Sequence, residues 1–421
     1  MKNSELTGLF EFIKKSPTAF HTVLSVEEEL VAKGAVRLYE NEKWNIKKGG
    51  SYYVIRNDSS VIAFKIPKDY KAGIKIAAAH SDSPCFKVKS APEMGRKGDY
   101  VVLNTEPYGG LIAYGWFDRP LSLAGRAIVN KNDKPVSLLF NLDKDLLVIP
   151  SLAIHMQRNV NDGIKIDMQK DMLPVLSGDE NIKVMDLVAK NLGIKAEDIL
   201  GLDTYLYNRQ SPVITGAKEE FILSPRLDDL MCVYGCLRGY VDGKPKGKID
   251  MLAIFDNEEV GSGTLQGADS DFLKDITQRI SLALKEDKED YMISMAESFL
   301  VSADNAHAVH PNHAENADPV NAPSINKGIV IKYSANQKYC TDAISAATFE
   351  AVLKKANVPF RYFYNKSGTP GGSTLGNISI SQLSIPSVDI GLPQLAMHSP
   401  AEFAGTKDID YLTKAMKVYF S

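Results

Sequence analysis

The chain contains few cysteines, which limits the kinds of fold that it can adopt. Only four of its 421 residues are cysteine: Cys85, Cys232, Cys236 and Cys340. Four scattered thiols are too few for the disulfide framework of a small secreted domain. The spacing of Cys232 and Cys236 would suit a metal, but both lie in an apolar helix start, where buried thiols are the favoured interpretation. We therefore expect all four to be reduced residues of the core.

Long hydrophobic runs are also missing. No apolar segment approaches the roughly 20 residues that a membrane-spanning helix needs. Residues 1–15 carry charges throughout, with Leu6, Leu9, Phe10 and Ile13 at helical spacing, so they predict an amphipathic surface helix and not a secretory signal. These absences predict a cytoplasmic protein without a membrane partner.

The charge is nearly balanced. There are 49 basic and 52 acidic side chains, for a formal net charge of −3, and no long basic stretch is interleaved with aromatic residues. This composition argues against nucleic acid as a partner. Internal repeats and low-complexity tracts are absent as well, and the length suits two or three domains.

The pattern of predicted elements changes twice along the chain. A buried strand is predicted at 74–79, and strand and helix patterns alternate again from Arg226 onward, as in a mainly parallel sheet. Between these parts, short β-rich runs alternate with turn residues. We therefore predict an α/β fold, in which a discontinuous catalytic domain of residues 1–91 and 212–421 has a central, mainly parallel mixed sheet flanked by helices. Residues 92–211 would form an inserted β-rich domain.

Side chains that bind metals follow two of the predicted strands. His80 and Asp82 come directly after one strand, and Glu258 and Glu259 come shortly after another. Because the carboxyl ends of parallel strands meet at one edge of a sheet, these side chains could share one pocket. Imidazole and carboxylate ligands without thiolates suit Zn²⁺ in an open catalytic site, with Mn²⁺ or Co²⁺ as substitutes.

Further segments offer ligands of the same kind: Asp304, His307 and His310 in one, His398 in another, and the pair Asp228 and Asp229 at a helix start. The residues alone leave the choice within the first segment open. Carboxylates at a helix start are also favoured by the helix dipole without any metal. Together the set is large enough for two ions.

The spacing within two of the motifs suggests a division of roles. Asp82 lies two positions after His80, from which a carboxylate can orient the imidazole ring of a metal ligand. In the pair Glu258 and Glu259, one carboxylate can bind a metal while its neighbour acts as a general base. The glycine-rich loop 366–374 lacks the Lys-Ser/Thr ending of a P-loop, so we interpret it as a loop that shapes a substrate pocket or as an ordinary connector.

Six segments together resemble the aspartyl aminopeptidase / aminopeptidase I family of co-catalytic zinc metallopeptidases, over nearly the whole chain. In order, they are AHSDSP at 79–84, LAIHMQRN at 152–159, SPRLD at 224–228, DNEEVGS at 256–262, AHAVHPN at 306–312 and QLAMHS at 394–399. Each segment is weak alone, but six in the same order are specific.

The resemblance implies a role for each matching residue. Two Zn²⁺ ions per subunit would be bound as follows: His80 and Asp304 on one ion, Glu259 and His398 on the other, and Asp228 bridging both. Glu258 would be the general base. His155, in the inserted domain, would reach across a dimer contact into the active site of the neighbouring subunit. Lys332 matches a lysine of the substrate pocket in relatives that prefer acidic residues.

The predicted function is therefore a metal-dependent aminopeptidase that removes the N-terminal residue, acidic (Asp/Glu) or neutral (Leu-type), from peptides. The resemblance further implies that the inserted domain mediates dimerisation and that dimers assemble into a homododecamer. Two alternatives remain open at this point. One is another dinuclear metallohydrolase, a carboxypeptidase or amidohydrolase, since fold and ligands serve several amide cleavages. The other is a noncatalytic metal-binding scaffold.

Overall fold

The computed structural model describes residues 4–372 and 374–421. Residues 1–3 of the predicted N-terminal helix and Ser373 of the glycine-rich loop lie outside the described residues. The chain forms two compact units. The first comprises Met1–Asp82, Pro212–Met397 and Glu402–Ser421, and the second comprises Ser83–Ser211 and His398–Ala401.

The described residues form nine α-helices: α1 Ser4–Lys15, α2 Ala19–Ala32, α3 Val184–Leu192, α4 Leu227–Asp242, α5 Phe272–Ala283, α6 Lys288–Ala296, α7 Ala343–Ala356, α8 Leu375–Gln382 and α9 Asp408–Tyr419. The strands up to residue 208 are β1 Val36–Arg37, β2 Ser51–Arg56, β3 Ser60–Lys65, β4 Ile74–His80, β5 Cys85–Arg96, β6 Tyr100–Tyr108, β7 Leu121–Lys131, β8 Lys134–Asn141, β9 Val175–Ser177 and β10 Ile199–Asn208. The later strands are β11 Val213–Thr215, β12 Phe221–Ser224, β13 Ile249–Phe255, β14 Phe299–Ala303, β15 Ala306–His307, β16 Ile329–Tyr333, β17 Phe360–Tyr364, β18 Ser387–Gly391, β19 Pro393–Leu395 and β20 Glu402–Gly405.

A nine-stranded sheet forms the centre of the first unit. Its strand order is β1-β2-β3-β13-β4-β14-β18-β16-β17, and five of its eight pairings are parallel. All seven residues of β13 are buried, as expected for a central strand covered on both faces. The predicted α/β class with a mainly parallel mixed sheet is confirmed.

Helices cover both faces of this sheet. Successive side chains of a strand point to opposite faces, and alternate residues of β4 accordingly enter two different hydrophobic clusters. One cluster contains apolar side chains of α1, α2, α4, α7 and α9. The other contains those of α5 and α8. The predicted strand at 74–79 and the helix pattern of residues 1–15 correspond to β4 and α1.

A second, five-stranded sheet belongs to the same unit, with the order β11-β12-β20-β19-β15. The chain passes from β12 directly into α4, and from β14 through a short connection into β15. Polar residues of this sheet are buried, notably Gln394 in β19 and Glu402 in β20. The sequence did not predict this sheet, because its strands are only two to four residues long.

The second unit is built on a six-stranded antiparallel sheet, ordered β8-β7-β10-β5-β6-β9. Strands β7 and β8 are joined by a two-residue turn at Asn132 and Asp133, both with positive φ, the backbone that a tight hairpin requires. The unit has its own apolar core. The unit includes residues from Ser83 onward, and β5, which pairs with β6 and β10, crosses residue 92, where the sequence predicted the start of the inserted domain.

Two further observations concern the thiols and the helices. All four cysteines are outside disulfides, as expected; Cys232 and Cys236 are buried, whereas Cys85 and Cys340 are half-buried. In the part of the chain that the structure describes, no helix combines the length and apolarity needed to span a membrane.

Candidate active site

The register of two central strands brings the first predicted ligands together. Strands β4 and β13 run parallel, and His80 at the end of β4 lies opposite Phe255 at the end of β13. Residues 256–259 therefore leave the sheet beside His80. Asn257 takes a left-handed conformation (φ 63°), which asparagine tolerates better than most residues, and a single 3₁₀ turn carries Glu258 and Glu259.

Asp82 holds this turn through both of its carboxylate oxygens. The backbone N–H of Glu258 donates to Oδ1 and that of Glu259 to Oδ2, each over 3.2 Å. The ring nitrogen Nδ1 of His80 lies 3.1 Å from the Asp82 backbone oxygen and 3.3 Å from its Oδ1. A proton on Nδ1 therefore has two acceptors, which leaves Nε2 available as a ligand atom. Asp82 thus orients three neighbouring residues.

The first turn of α4 supplies two buried carboxylates. Asp228 Oδ1 lies 3.5 Å from His80 Nε2, and Asp229 Oδ2 accepts the backbone N–H of His80 over 3.2 Å. The residue before α4, Arg226, is left-handed (φ 55°). Its guanidinium donates to the backbone oxygens of Ile13 and Ser16 at the end of α1, and these bonds hold an unfavourable backbone conformation in place.

Asp304, directly after β14, completes the buried group. One ligand atom from each of four residues lies within 4.8 Å of all the others: His80, Asp228, Asp229 and Asp304. A second group of this kind consists of His80, Glu258 and Glu259. Of the three residues among which the sequence alone left a choice, Asp304 belongs to a buried group, whereas His307 and His310 are exposed.

Lys332 lies buried against the same group. Its Nζ is 3.5 Å from Asp304 Oδ1, and the side chain is only 3% exposed. Although burial lowers the pKa of this lysine, the carboxylate of Asp304 raises it above the ordinary value. Lys332 is thus a charged, buried neighbour of a candidate ligand and not a surface charge.

The electrostatics of the group are those of crowded buried acids. Burial raises the pKa of Glu258 to about 8, an effect that the positive charge of His80 opposes and the carboxylate of Asp304 reinforces. Burial and then Asp228 raise the pKa of Glu259 well above its usual range. Burial on its own lowers the pKa of His80, but the carboxylates of Asp229, Asp228 and Asp82 raise it well above its ordinary value.

This donor set fits a divalent cation. Buried carboxylates that raise one another's pKa are stabilised as anions by positive charge placed among them. Imidazole and carboxylate atoms without thiolate are the ligands of catalytic Zn²⁺ sites. Two groups of side chains could hold such an ion: His80, Asp228, Asp229 and Asp304, and His80, Glu258 and Glu259.

A cavity of about 330 Å³ lies in the same unit. The glycine-rich loop lines it through Lys366, Thr369 and Gly372, together with His307 and His310. A loop that shapes a pocket agrees with one of the two interpretations offered by the sequence.

Two of the predicted residues lie in the second unit. His155 is exposed in a turn between strands. His398 has a positive φ of 67°, and its Nδ1 lies 2.8 Å from the backbone oxygen of Gly110. That contact would orient Nε2 as the ligand atom. The role of His155 in a neighbouring active site and the role of His398 as a metal ligand stay predictions.

The structure also gathers buried polar residues that the sequence did not single out: Asn305, Gln394 and Glu402. Asn305 follows Asp304 directly, and Glu402 accepts the backbone N–H of Asp228 over 2.9 Å. Gln394 appeared in the sequence only as the first residue of the QLAMHS segment, and Asn305 and Glu402 lie in no motif, so only the fold reveals that all three are buried.

A mainly parallel mixed sheet with a buried imidazole and several carboxylates at the carboxyl ends of its parallel strands suits a metal-dependent hydrolase. Comparison with known proteins defines the family. A family model described as aminopeptidase I zinc metalloprotease (M18) matches residues 12–420. The chain belongs to this family and is a metallo-aminopeptidase, a hydrolase of peptide bonds.

Individual relatives agree along the whole chain. A probable M18 family aminopeptidase 2 of Clostridium novyi (strain NT) is 44% identical over 422 residues, which cover 98% of both chains. The solved structure of the Ape4 and Nbr1 complex matches with a TM-score of 0.96 and 33% identity, over 99% of this chain and 85% of that one. The S. cerevisiae mApe1 dodecamer matches with a TM-score of 0.87 and 26% identity, over 99% and 96%.

Proposed function

We propose that the protein is a dinuclear zinc aminopeptidase that removes single residues from the N-terminus of peptides. The observation that supports this most strongly is the convergence of His80, Asp228 and Asp304 in one buried group, with Glu258 and Glu259 beside it. Family membership supports the zinc dependence.

The proposed assignment gives each ion its own ligands. His80 and Asp304 would hold one Zn²⁺, Glu259 and His398 the other, and Asp228 would bridge the two, as the resemblance to the family implies. The Asp228 carboxylate lies 3.5 Å from His80 Nε2 and shares one group with Asp304, which supports its place among the ligands. Bound Zn²⁺ would polarise the scissile carbonyl and make water more acidic.

Glu258 would carry the proton. Its carboxylate would accept a proton as water attacks the carbonyl carbon and would return it to the amine of the leaving peptide. Glu258 lies in one group with His80 and Glu259, so its carboxylate would be close to water held at the metal centre. Asp82 would keep Glu258 in place through the bond to its backbone N–H.

The variant Glu258→Gln tests this role. It should keep its zinc and lose turnover by about a hundred- to ten-thousandfold, as expected for a missing general base. Zinc content is measured by elemental analysis and turnover with an aminoacyl chromogenic substrate. Glu297→Gln, which changes an exposed partner of Lys248, is the matched control and should be as active as the wild type. Full turnover in the Glu258→Gln variant would remove Glu258 from the mechanism.

Self-association would complete the active site. Since a solved relative is a dodecamer, we propose that this chain also forms a homododecamer from dimers, in which residues 92–211 mediate dimerisation. His155 would then enter the active site of the neighbouring subunit, which its exposed position permits. A cytoplasmic location is part of the same proposal.

The preferred N-terminal residue would be decided near Lys332. Its ammonium group would favour a peptide with an N-terminal Asp or Glu, although Asp304 already balances part of its charge. Replacement by Met should therefore reduce cleavage of acidic substrates more than cleavage of Leu substrates. Equal losses on both would assign Lys332 to the support of Asp304.

A further inference from the structure

A ring of side chains holds one peptide unit next to the metal ligands. The peptide group between Leu227 and Asp228 has two polar atoms, and each binds a different buried side chain. The Asp228 N–H donates to Glu402 Oε2 over 2.9 Å, while the Leu227 carbonyl accepts from Asn305 Nδ2 over 2.9 Å. Both sides of this single peptide group are therefore fixed.

Gln394 joins the two side chains to each other. Its Nε2 donates to Glu402 Oε1 over 3.3 Å, and its Oε1 accepts from Asn305 Nδ2 over 2.9 Å. The hydrogen bonds thus form a closed circuit through Asp228, Glu402, Gln394, Asn305 and back to Leu227. All three of the side chains are at most 2% exposed, so water does not compete for these bonds.

The direction of every bond in the circuit is determined. A backbone carbonyl can only accept, so Asn305 must turn its Nδ2 toward Leu227, and Cys232 Sγ donates to its Oδ1 over 3.2 Å. The Gln394 atom next to Asn305 is then the oxygen, and its amide nitrogen faces Glu402. A carboxylate accepts at both oxygens, which is what Glu402 does here.

We propose that Glu402, Gln394 and Asn305 act as positioning residues, a clamp that fixes the direction of the Asp228 side chain and sets the affinity of the metal centre. The proposal rests on Asp228 being a metal ligand, as proposed above. Asn305 extends the effect, since it follows Asp304 in the chain and links that second ligand to the same ring. Hydrogen-bonded partners of metal ligands commonly influence metal affinity by about 10- to 100-fold.

An exchange of two side chains tests the direction of the bonds. In Glu402→Gln, the new amide nitrogen faces the amide nitrogen of Gln394, so two donors meet. In Gln394→Glu, two carboxylates meet instead. The double variant E402Q/Q394E restores a donor opposite an acceptor at every link. The new amide at position 402 then donates to the new carboxylate at position 394, and that carboxylate still accepts from Asn305.

Zinc affinity is the measurement, obtained by competition with a chelator of known affinity. Each single variant should bind Zn²⁺ about 10- to 100-fold more weakly, and the double variant should return to within about threefold of the wild type. Asp408→Asn is the matched control, because Asp408 is another buried carboxylate that accepts a backbone N–H, from Asn326 over 2.8 Å. It should leave the zinc affinity unchanged, even where it alters the melting temperature of the metal-free protein.

Single variants with wild-type zinc affinity would overturn the proposal, as would a double variant that binds no better than the weaker single variant. If a single variant does not fold, the double variant decides alone: wild-type affinity supports the clamp, and weak binding or misfolding contradicts it. The readout does not depend on peptide cleavage. Wild-type protein that binds no zinc would refute the proposed metal centre and the clamp together, whereas zinc binding that is insensitive to these variants refutes only the clamp.

Discussion

The variant Asp82→Asn should lower both kcat/KM and zinc affinity, although the side chain keeps its size. The wild-type carboxylate accepts two backbone N–H groups, one at each oxygen, from Glu258 and Glu259. An amide has only one acceptor oxygen. One of the two bonds must therefore be lost, and the amide nitrogen then faces an N–H group as a second donor.

The expected size of the effect follows from this count of bonds. A hydrogen bond to a charged group contributes about 1.5–3 kcal/mol, and about 1.36 kcal/mol corresponds to a tenfold change in rate. Loss of one bond should therefore reduce kcat/KM about 10- to 100-fold. Zinc affinity should also fall, because the Asp82 carboxylate lies 3.3 Å from Nδ1 of the candidate ligand His80.

Steady-state kinetics and chelator competition on the same preparation give both quantities. Asp342→Asn is the matched control, since Asp342 accepts the backbone N–H of Ser345 at the start of α7, and Asn caps a helix about as well as Asp. It should change neither quantity. If Asp82→Asn has wild-type kcat/KM and wild-type zinc affinity, then Asp82 does not orient the catalytic turn.

Two further variants test other parts of the molecule. His155→Phe should lose activity, keep its zinc and retain the assembly seen by size-exclusion chromatography with light scattering; a fully active, metal-loaded variant would contradict a site shared between subunits. Asp250→Asn tests the stability of the sheet. Burial raises the pKa of Asp250 from 3.8 to about 7, although the positive charges of Lys75 and Lys65 lower it. The folded state therefore binds the Asp250 proton more tightly than the unfolded state does. As a result, the wild-type protein loses stability as the pH rises from about 4 to 7. At about 1.4 kcal/mol per pKa unit, the penalty reaches at most about 4 kcal/mol. In urea unfolding, Asp250→Asn should therefore be more stable than the wild type at pH 8 and should lose this advantage near pH 4. Equal stability of the two proteins at pH 8 would refute a cost from burial of the Asp250 carboxylate.

The sequence predicted those parts of the fold whose patterns are local. Apolar runs such as the one that became β13 are buried on both faces and mark a parallel sheet. The strands β11, β15 and β19 are two or three residues long, which is too short for an alternating pattern to show. Their sheet could be found only from long-range pairing.

Some residues of the candidate site could likewise be predicted from local sequence patterns, whereas others depend on the fold. Motifs at strand ends identified His80, Asp82, Glu258 and Glu259, because their order along the chain places them at one edge of the sheet. The residues alone left Asp304, His307 and His310 open; the family resemblance implied Asp304, and only the fold shows it buried beside His80 and Asp228. The position of Glu402 is equally hidden from the sequence, because it depends on the antiparallel pairing of β12 with β20, which places Glu402 opposite Ser224 and close to the start of α4.

If this metal centre cleaves peptides from their N-terminus, cleavage requires both the metal and a free α-amine. The most direct test measures hydrolysis of aminoacyl chromogenic substrates with Asp, Glu and Leu, before chelation, after chelation, and after Zn²⁺, Mn²⁺ or Co²⁺ is added back. A second set of substrates carries a blocked α-amine. We predict cleavage that is lost on chelation, restored by metal and confined to substrates with a free amine. Cleavage that survives chelation would contradict a metal-dependent mechanism, and equal cleavage of blocked substrates would contradict removal of N-terminal residues.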